Sequence, residues 1–182
     1  TKYTTDLPRG RVQVVQKGQN GVITRVVRDT LVDGEVTATV TLSETRTDVV
    51  NEIRLVGTQL GVALSPAPFE IELDATGQPI GYEKVITGTC TAYTNDRGLA
   101  GNTTSTGRPA SVGVVAVDPK IIPYGTELYI VSPDGSRVYG YAIAGDTGGA
   151  MLSGRALCDL FMDTYEECMA FGRRPMNVYI LN

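Results

Sequence analysis

The chain has 182 residues with 16 Lys and Arg against 20 Asp and Glu, a length for one large or two small domains and a charge balance that gives no footing for nucleic acid. It has no His and no Trp, which excludes His-based triads and His-ligated metals and leaves any sugar platform to Tyr. No apolar run approaches the roughly 18–20 residues of a membrane-spanning helix, and the chain opens on Thr1 without Met or a charged-then-apolar leader. It therefore reads as a trimmed or processed product, and a lipid or membrane anchor ahead of Thr1 stays open.

Residues 1–58 read as all-β. Val36 to Ser43 alternates apolar with small hydroxyl side chains, the period-two pattern of a half-buried strand, and Val12, Val14, Ile53 and Leu55 repeat it in shorter form. Gln19-Asn20-Gly21 and Asp33-Gly34 mark turns, since Asn-Gly and Asp-Gly favour type I′ hairpins. Strands with Thr and Arg outward cannot fill a broad core in so short a stretch, so a thin, extended sheet without a catalytic constellation is expected. Pro8-Arg9-Gly10, Gln16-Lys17-Gly18, Asn20-Gly21, Val32-Asp33-Gly34 and Leu55-Val56-Gly57-Thr58 resemble the glycine pattern of the G-five domain, an extracellular β module. The resemblance places that module at residues 1–60 and implies a surface setting. Glycan adhesion and a rigid spacer both remain open for it.

Residues 61–86 form a linker and lead-in strand. Ser65-Pro66-Ala67-Pro68 is a stiff extended joint, because each Pro fixes φ and restricts its predecessor. Residues 69–73 alternate as a short strand, and Asp74-Ala75-Thr76-Gly77 turns the chain towards Tyr82. From Thr87 the pattern predicts strands over 87–93, 113–117, 127–131, 137–144 and 176–181. Asp163-Thr164-Tyr165-Glu166 predicts a capping box opening a helix, with Tyr165, Cys168 and Met169 on one face and Gly172 as its C-cap. Short strands, turns such as Ile122-Pro123-Tyr124-Gly125 and one short helix predict a small β-barrel.

Within that barrel, Asp146 leads into Thr147-Gly148-Gly149, and Asp159 stands between Leu157-Cys158 and Leu160-Phe161. Two acids bracket a Gly-rich loop in which backbone can approach a ligand. A carboxylate among apolar neighbours costs several kcal/mol unless paired or protonated. The acids therefore either hold the loop together or are tuned for proton transfer. Cys90, Cys158 and Cys168 form no CxxC pair, so neither a metal nor any other cofactor is expected. One disulfide with a free thiol, in any of its three pairings, and three reduced thiols are both open.

Thr91-Ala92-Tyr93, Thr106-Gly107, Ala116-Val117-Asp118-Pro119, Asp146-Thr147-Gly148-Gly149-Ala150, Asp159-Leu160-Phe161 and Val178-Tyr179-Ile180-Leu181 follow in order. Together they closely resemble the three-Asp (3D) domain, its aspartates here being Asp118, Asp146 and Asp159, over residues 87–182. The fold class this implies is mainly β: an extended G-five module followed by a double-psi β-barrel similar to the membrane-bound lytic transglycosylase A family. It further implies a secreted or wall-associated monomer acting on peptidoglycan glycan strands, similar to exported wall-remodelling proteins of Gram-positive bacteria, including resuscitation and stationary-phase-survival types. Considering the family tilts the thiols towards a disulfide; a bond from Cys168 to Cys90 or Cys158 would pin the helix against the barrel.

A lytic transglycosylase cleaves the MurNAc–GlcNAc β-1,4 bond without water, the muramyl C6 hydroxyl closing a 1,6-anhydro ring. One carboxyl can protonate the leaving oxygen and then take the C6 proton, which requires a raised pKa. The resemblance makes Asp159 that acid and Asp146 its ionised neighbour. It places Thr91 and Tyr93 at the groove, with Thr106, Gly107, Asp118, Gly148 and Gly149 as further glycan contacts; an Asp-Pro turn also accounts for Asp118. Two features depart from the family pattern. The usual Gly-Gly-Ala-Ile-Lys-Gly run here reads Gly149-Ala150-Met151-Leu152-Ser153-Gly154, without the Lys. The acids also stand 159 − 146 = 13 positions apart, two more than the family pattern. An expansin-like protein that binds wall glycans without cleaving them is the alternative. Asp146-Thr147-Gly148 also matches the aspartic-protease tripeptide, but the last strand, Val178-Tyr179-Ile180-Leu181-Asn182, carries no apolar-apolar-Gly segment to complete that fold.

Overall fold

The computed structural model describes residues 1–98 and 100–182. The chain divides into two compact units, Thr1–Lys2 with Gln13–Leu55 and Tyr3–Val12 with Val56–Asn182. In the first, the dominant feature is a hairpin of β3 (Val22–Val32) and β4 (Glu35–Thr47), which follow β1 (Lys2–Pro8) and β2 (Val12–Gln16) in the chain. Asp33 and Gly34 close it at φ 53° and 86°, the paired positive values that a type I′ turn demands and Asp-Gly supplies. The ladder runs from Val22 opposite Thr47 to Val32 opposite Glu35, and every residue of both strands is exposed. Its side chains therefore support it only across the strands. Arg25 pairs with Glu44 at 2.6 Å and Thr39 donates to Asp29 at 2.6 Å.

The fifth strand, β5 (Ile53–Gln59), crosses from the first unit into the second. There Gly57 N donates to Arg11 O at 2.9 Å and Arg9 N to Gln59 O at 2.7 Å. A Cβ on Gly57 would lie 2.1 Å from the Pro8 carbonyl oxygen, so this glycine of the pattern is fixed by close strand approach.

The rest of the second unit is a closed six-stranded barrel of β6 (Lys84–Tyr93), β7 (Val114–Val117), β8 (Glu127–Val131), β9 (Val138–Asp146), β10 (Cys158–Phe161) and β11 (Arg174–Ile180). The strand order is β10-β6-β11-β8-β9-β7. The pairs β10–β6 and β7–β9 are parallel, and the other neighbours are antiparallel. The predicted β-barrel and mainly β class are thus found, with strand positions within a few residues of those expected. β10 was not among the predicted strands; four residues including an acid are too few to display alternation. Residues 69–73 do not form the expected strand, leaving only an isolated bridge from Leu73 to Pro79. The Asp74 carboxylate, accepting from Thr76 N at 2.8 Å and Gln78 N at 3.0 Å, organises a turn there instead.

Inward-facing Val115, Val117, Leu128, Ile130, Ala142, Ala144, Leu160, Met176 and Val178 have no exposed surface. Tyr139 is buried among them with its phenol satisfied, donating to Phe161 O at 3.0 Å and accepting from Gly113 N at 2.9 Å. Two short helices follow β9 and β10: α1 (Gly149–Leu152) and α2 (Tyr165–Phe171). The capping box at α2 lies one residue later than predicted. Thr164 is the N-cap, accepting from Glu167 N, and Gly172 closes the helix at φ 63°. Glu167 takes the place expected of Glu166, and its Oε2 accepts from Asp163 N at 3.1 Å. The helix buries Glu167 and Phe171 and leaves Met169 64% exposed; Tyr165, Cys168 and Met169 do share one face, as expected, but it lines a groove rather than the core.

The expected disulfide is absent: all three cysteines are free. Cys90 and Cys158 lie opposite each other across the β6–β10 pair with no exposed surface, while Cys168 is half-buried on α2. Burial, with Asp159 and Glu167 nearby, pushes the Cys168 thiol up to about 12. Titration with a chromogenic disulfide reagent is therefore expected to find Cys168 alone, slowly, in the native protein and all three thiols after unfolding. A single thiol after unfolding would mean that a disulfide forms.

Candidate carboxylate site on the barrel wall

Strand alternation sends Cys158 and Leu160 of β10 inward and Asp159 outward. Across the parallel pair its register partner is Thr91 of β6, and on the other side it is Ala116 of β7. Thr91 and Tyr93 share that outer face. β9 brings the second acid: Val115 pairs with Ala144, but Ala116 pairs with Asp146, the ladder skipping Gly145. This bulge re-aims Asp146 onto the face that carries Asp159. Both acids thus flank Ala116, two strand spacings apart, with Cα atoms about 10 Å from each other.

Their environments differ. Asp146 is saturated with donors: Oδ1 accepts from Ser105 Oγ at 2.7 Å, Ser105 N at 2.9 Å and Thr147 N at 2.9 Å, and Oδ2 accepts from Tyr93 Oη at 3.1 Å. Burial works against its ionisation, yet these donors outweigh it and hold the carboxyl below its ordinary value. Among the described residues Asp159 accepts one hydrogen bond, from Thr91 Oγ1 at 2.8 Å. Burial pushes its carboxyl above the usual range; the Thr91 bond opposes the rise and the Asp146 charge adds to it. Burial and the Asp146 charge also push the Tyr93 phenol up, so Tyr93 stays a donor, its ring edge-on to Phe161 at 5.3 Å. One acid is held ionised and the other is biased to keep its proton. Such a pair can give and take a proton at one point beside a fixed negative charge.

The other predicted residues fall around this pair unevenly. Thr106 donates to Gly145 O at 2.7 Å, and Gly107 closes the same loop at φ 79°; the contact to Asp146 comes from Ser105, which the sequence reading missed. Its only signal was its place in the run Thr103-Thr104-Ser105-Thr106 beside Gly107. Gly148 precedes α1, and a Cβ on Gly149 would meet nothing within 4 Å, so the loop is open beside Asp146. Asp118 lies in the turn after β7, its carboxylate accepting from Lys120 N at 2.9 Å. The longer interval between the acids folds compactly: α1 and the turn after it bring Arg155 N to Ala150 O at 2.8 Å and bury Met151 and Ala156 against Ala116. A cavity of about 520 Å³ lies along β6 and α2, starting at Thr91 and Tyr93.

The class these features define is a mainly β chain whose closed barrel carries two unlike carboxylates on its wall. Residues 1–59 match the G5 domain and residues 113–182 the 3D domain, and the chain has this G5–3D architecture. Two curated relatives from Bacillus subtilis resemble it. The cell wall-binding protein YocH is 36% identical over 104 residues, covering 54% of this chain and 33% of that protein. The putative cell wall shaping protein YabE is 33% identical over 103 residues, covering 54% and 23%. This chain thus spans a third or less of their lengths. Among solved structures, MltA from Escherichia coli, described as having a unique lytic transglycosylase fold, aligns at 22% identity with a TM-score of 0.37, covering 47% of this chain and 29% of that one.

Proposed function

We propose that the second unit is a peptidoglycan lytic transglycosylase domain in which Asp159 serves as the single acid and base. The observation that carries this reading is the contrast between the two acids. Asp159 is mostly buried, has one hydrogen-bond donor and titrates above its ordinary range, whereas Asp146 is locked as an anion by Ser105, Thr147 and Tyr93. As an acid, Asp159 protonates the glycosidic oxygen leaving the muramyl C1. As a base, it takes the proton of the C6 hydroxyl as that oxygen closes on C1. Asp146 supplies the fixed negative charge that favours oxocarbenium character. Thr91 orients Asp159, and Tyr93 joins Asp146 to the groove. Thr106, Gly107, Gly148, Gly149 and Asp118 line the approach of the glycan strand.

The chain works outside the cell, at the wall. In this reading residues 1–60 form the G5 module, 61–86 the linker and 87–182 the 3D barrel, and the two parallel strand pairs support a double-psi arrangement. Mass spectrometry of soluble products from purified peptidoglycan tests the chemistry. Ends carrying 1,6-anhydromuramic acid, absent with Asp159→Asn, are the expected result, and reducing ends would mean hydrolysis. Binding without release would favour the expansin-like alternative, a reading that the relative described as cell wall-binding also supports.

The pH profile separates the two acids. Cleavage needs protonated Asp159, so kcat/KM falls as pH rises past its pKa. Burial, the main cause of the raised value, is unchanged in Asp146→Asn, but the contribution of the neighbouring charge is lost. The falling limb is therefore expected to move to lower pH in Asp146→Asn. An unmoved limb would mean that the acids do not feel each other.

A further inference from the structure

The cavity beside α2 is contiguous with the acid, since Thr91 both lines it and donates to Asp159. Its volume of about 520 Å³ lies within the usual range of ligand pockets, but its chemistry does not suit a sugar. Ala92, Tyr165, Cys168 and Met169 form an apolar wall. The hydroxyls of Thr91 and Tyr93 are committed to Asp159 and Asp146, and Thr94 Oγ1 already accepts from Asp96 N at 3.0 Å. Sugar hydroxyls entering here would lose water and find few partners. Met169 nevertheless stands 64% exposed on the groove. At the far end Arg173 is exposed, and its guanidinium donates to the Arg155 carbonyl without a carboxylate partner among the described residues.

If Asp159 acts at the muramyl C1, as proposed above, the acetamido methyl on C2 is the nearest apolar group but is too small to fill about 520 Å³; the next is the lactyl ether on C3 of the same ring with its short peptide. That peptide carries both alanine methyl groups and free carboxylates. We infer that this groove is the subsite for the stem peptide, with its methyl groups against Ala92, Tyr165 and Met169 and a stem carboxylate on Arg173. The domain would then select peptide-substituted strands over bare ones.

The test uses the Asp159→Asn chain and two probes, GlcNAc-MurNAc tetrasaccharides with and without their stem peptides, titrated calorimetrically. The peptide-bearing probe is expected to bind about tenfold or more tightly. Met169→Glu and Arg173→Glu, each added to that background, are expected to bring it to the level of the bare probe; both side chains are exposed, so folding is not at risk. Equal affinities, undetectable binding of both included, overturn the inference, as does a preference that survives both substitutions. Product analysis of the unsubstituted chain runs in parallel. A peptide preference without anhydro products would sink the cleavage reading and keep the subsite, and anhydro products without a preference would do the reverse.

Discussion

Asp159→Asn is expected to lower the yield of 1,6-anhydromuramyl products by about 10²–10⁴-fold while leaving the thermal midpoint at pH 7 unchanged or higher. The substitution is nearly isosteric, and Thr91 Oγ1 can still donate to the side-chain oxygen that takes the place of Oδ1. What it removes is the titrating proton and the burial of a charge. Because burial raises the Asp159 pKa, the folded chain keeps a proton that the unfolded chain has released above the ordinary Asp value of about 4. Stability therefore falls as pH rises from there to the folded pKa and stays low beyond it. An Asn never ionises and escapes that loss. Asp146→Asn should behave in the opposite sense. Its depressed pKa contributes stability above the ordinary Asp value, lost as pH falls through the folded one. With the charged acceptor removed, the variant should lose about 1–2 kcal/mol at pH 7. Melting curves for both variants at pH 4 and 7, beside product analysis, check the pattern. An Asp159→Asn chain that cleaves normally, or that is the less stable of the two at pH 7, would remove Asp159 from the proposed role.

The sequence carried these two acids but not the reason they differ. The short apolar runs Val114–Val117 and Leu128–Val131, bounded by turn residues, were enough to place β7 and β8, and the Asp-Gly turn defined the long hairpin because its chemistry is local. Asp159 lay on a strand of four residues whose partners, Thr91 and Ala116, come from distant parts of the chain. The bulge that aims Asp146 depends on the pairing of β7 with β9, which no local pattern records. Ser105 was missed for the same reason: a serine in a Thr-rich loop carries no signal until the fold sets it against Asp146. The Tyr165, Cys168 and Met169 stripe was visible, but helical spacing alone cannot tell a packing face from the wall of a groove. The resemblance to the 3D domain supplied the pairing of residues that periodicity could not.

Glu167→Ala is expected to destabilise the second unit by about 3–5 kcal/mol, a larger stability loss than any change at the two acids of the barrel wall. Glu167 is 2% exposed, and its carboxylate is a hub. Oε1 accepts from Val12 N at 3.0 Å and from Arg11 Nη1 at 3.5 Å, and Oε2 accepts from Asp163 N at 3.1 Å. Truncation would leave two backbone donors without acceptors and a half-buried guanidinium with only Asp163, itself exposed, as partner. Hydrogen bonds to exposed carboxylates recover little of such a loss. Glu167→Gln keeps an acceptor oxygen for one of the backbone donors but turns an NH2 towards the other and removes the charge, so a loss of about 1–3 kcal/mol, below that of the truncation, is expected. Urea unfolding followed by circular dichroism orders the variants. If Glu167→Ala costs under about 1 kcal/mol, the carboxylate does not clasp the Arg11–Val12 segment to α2, and the hold must lie in the pairing of Arg9 and Arg11 with β5.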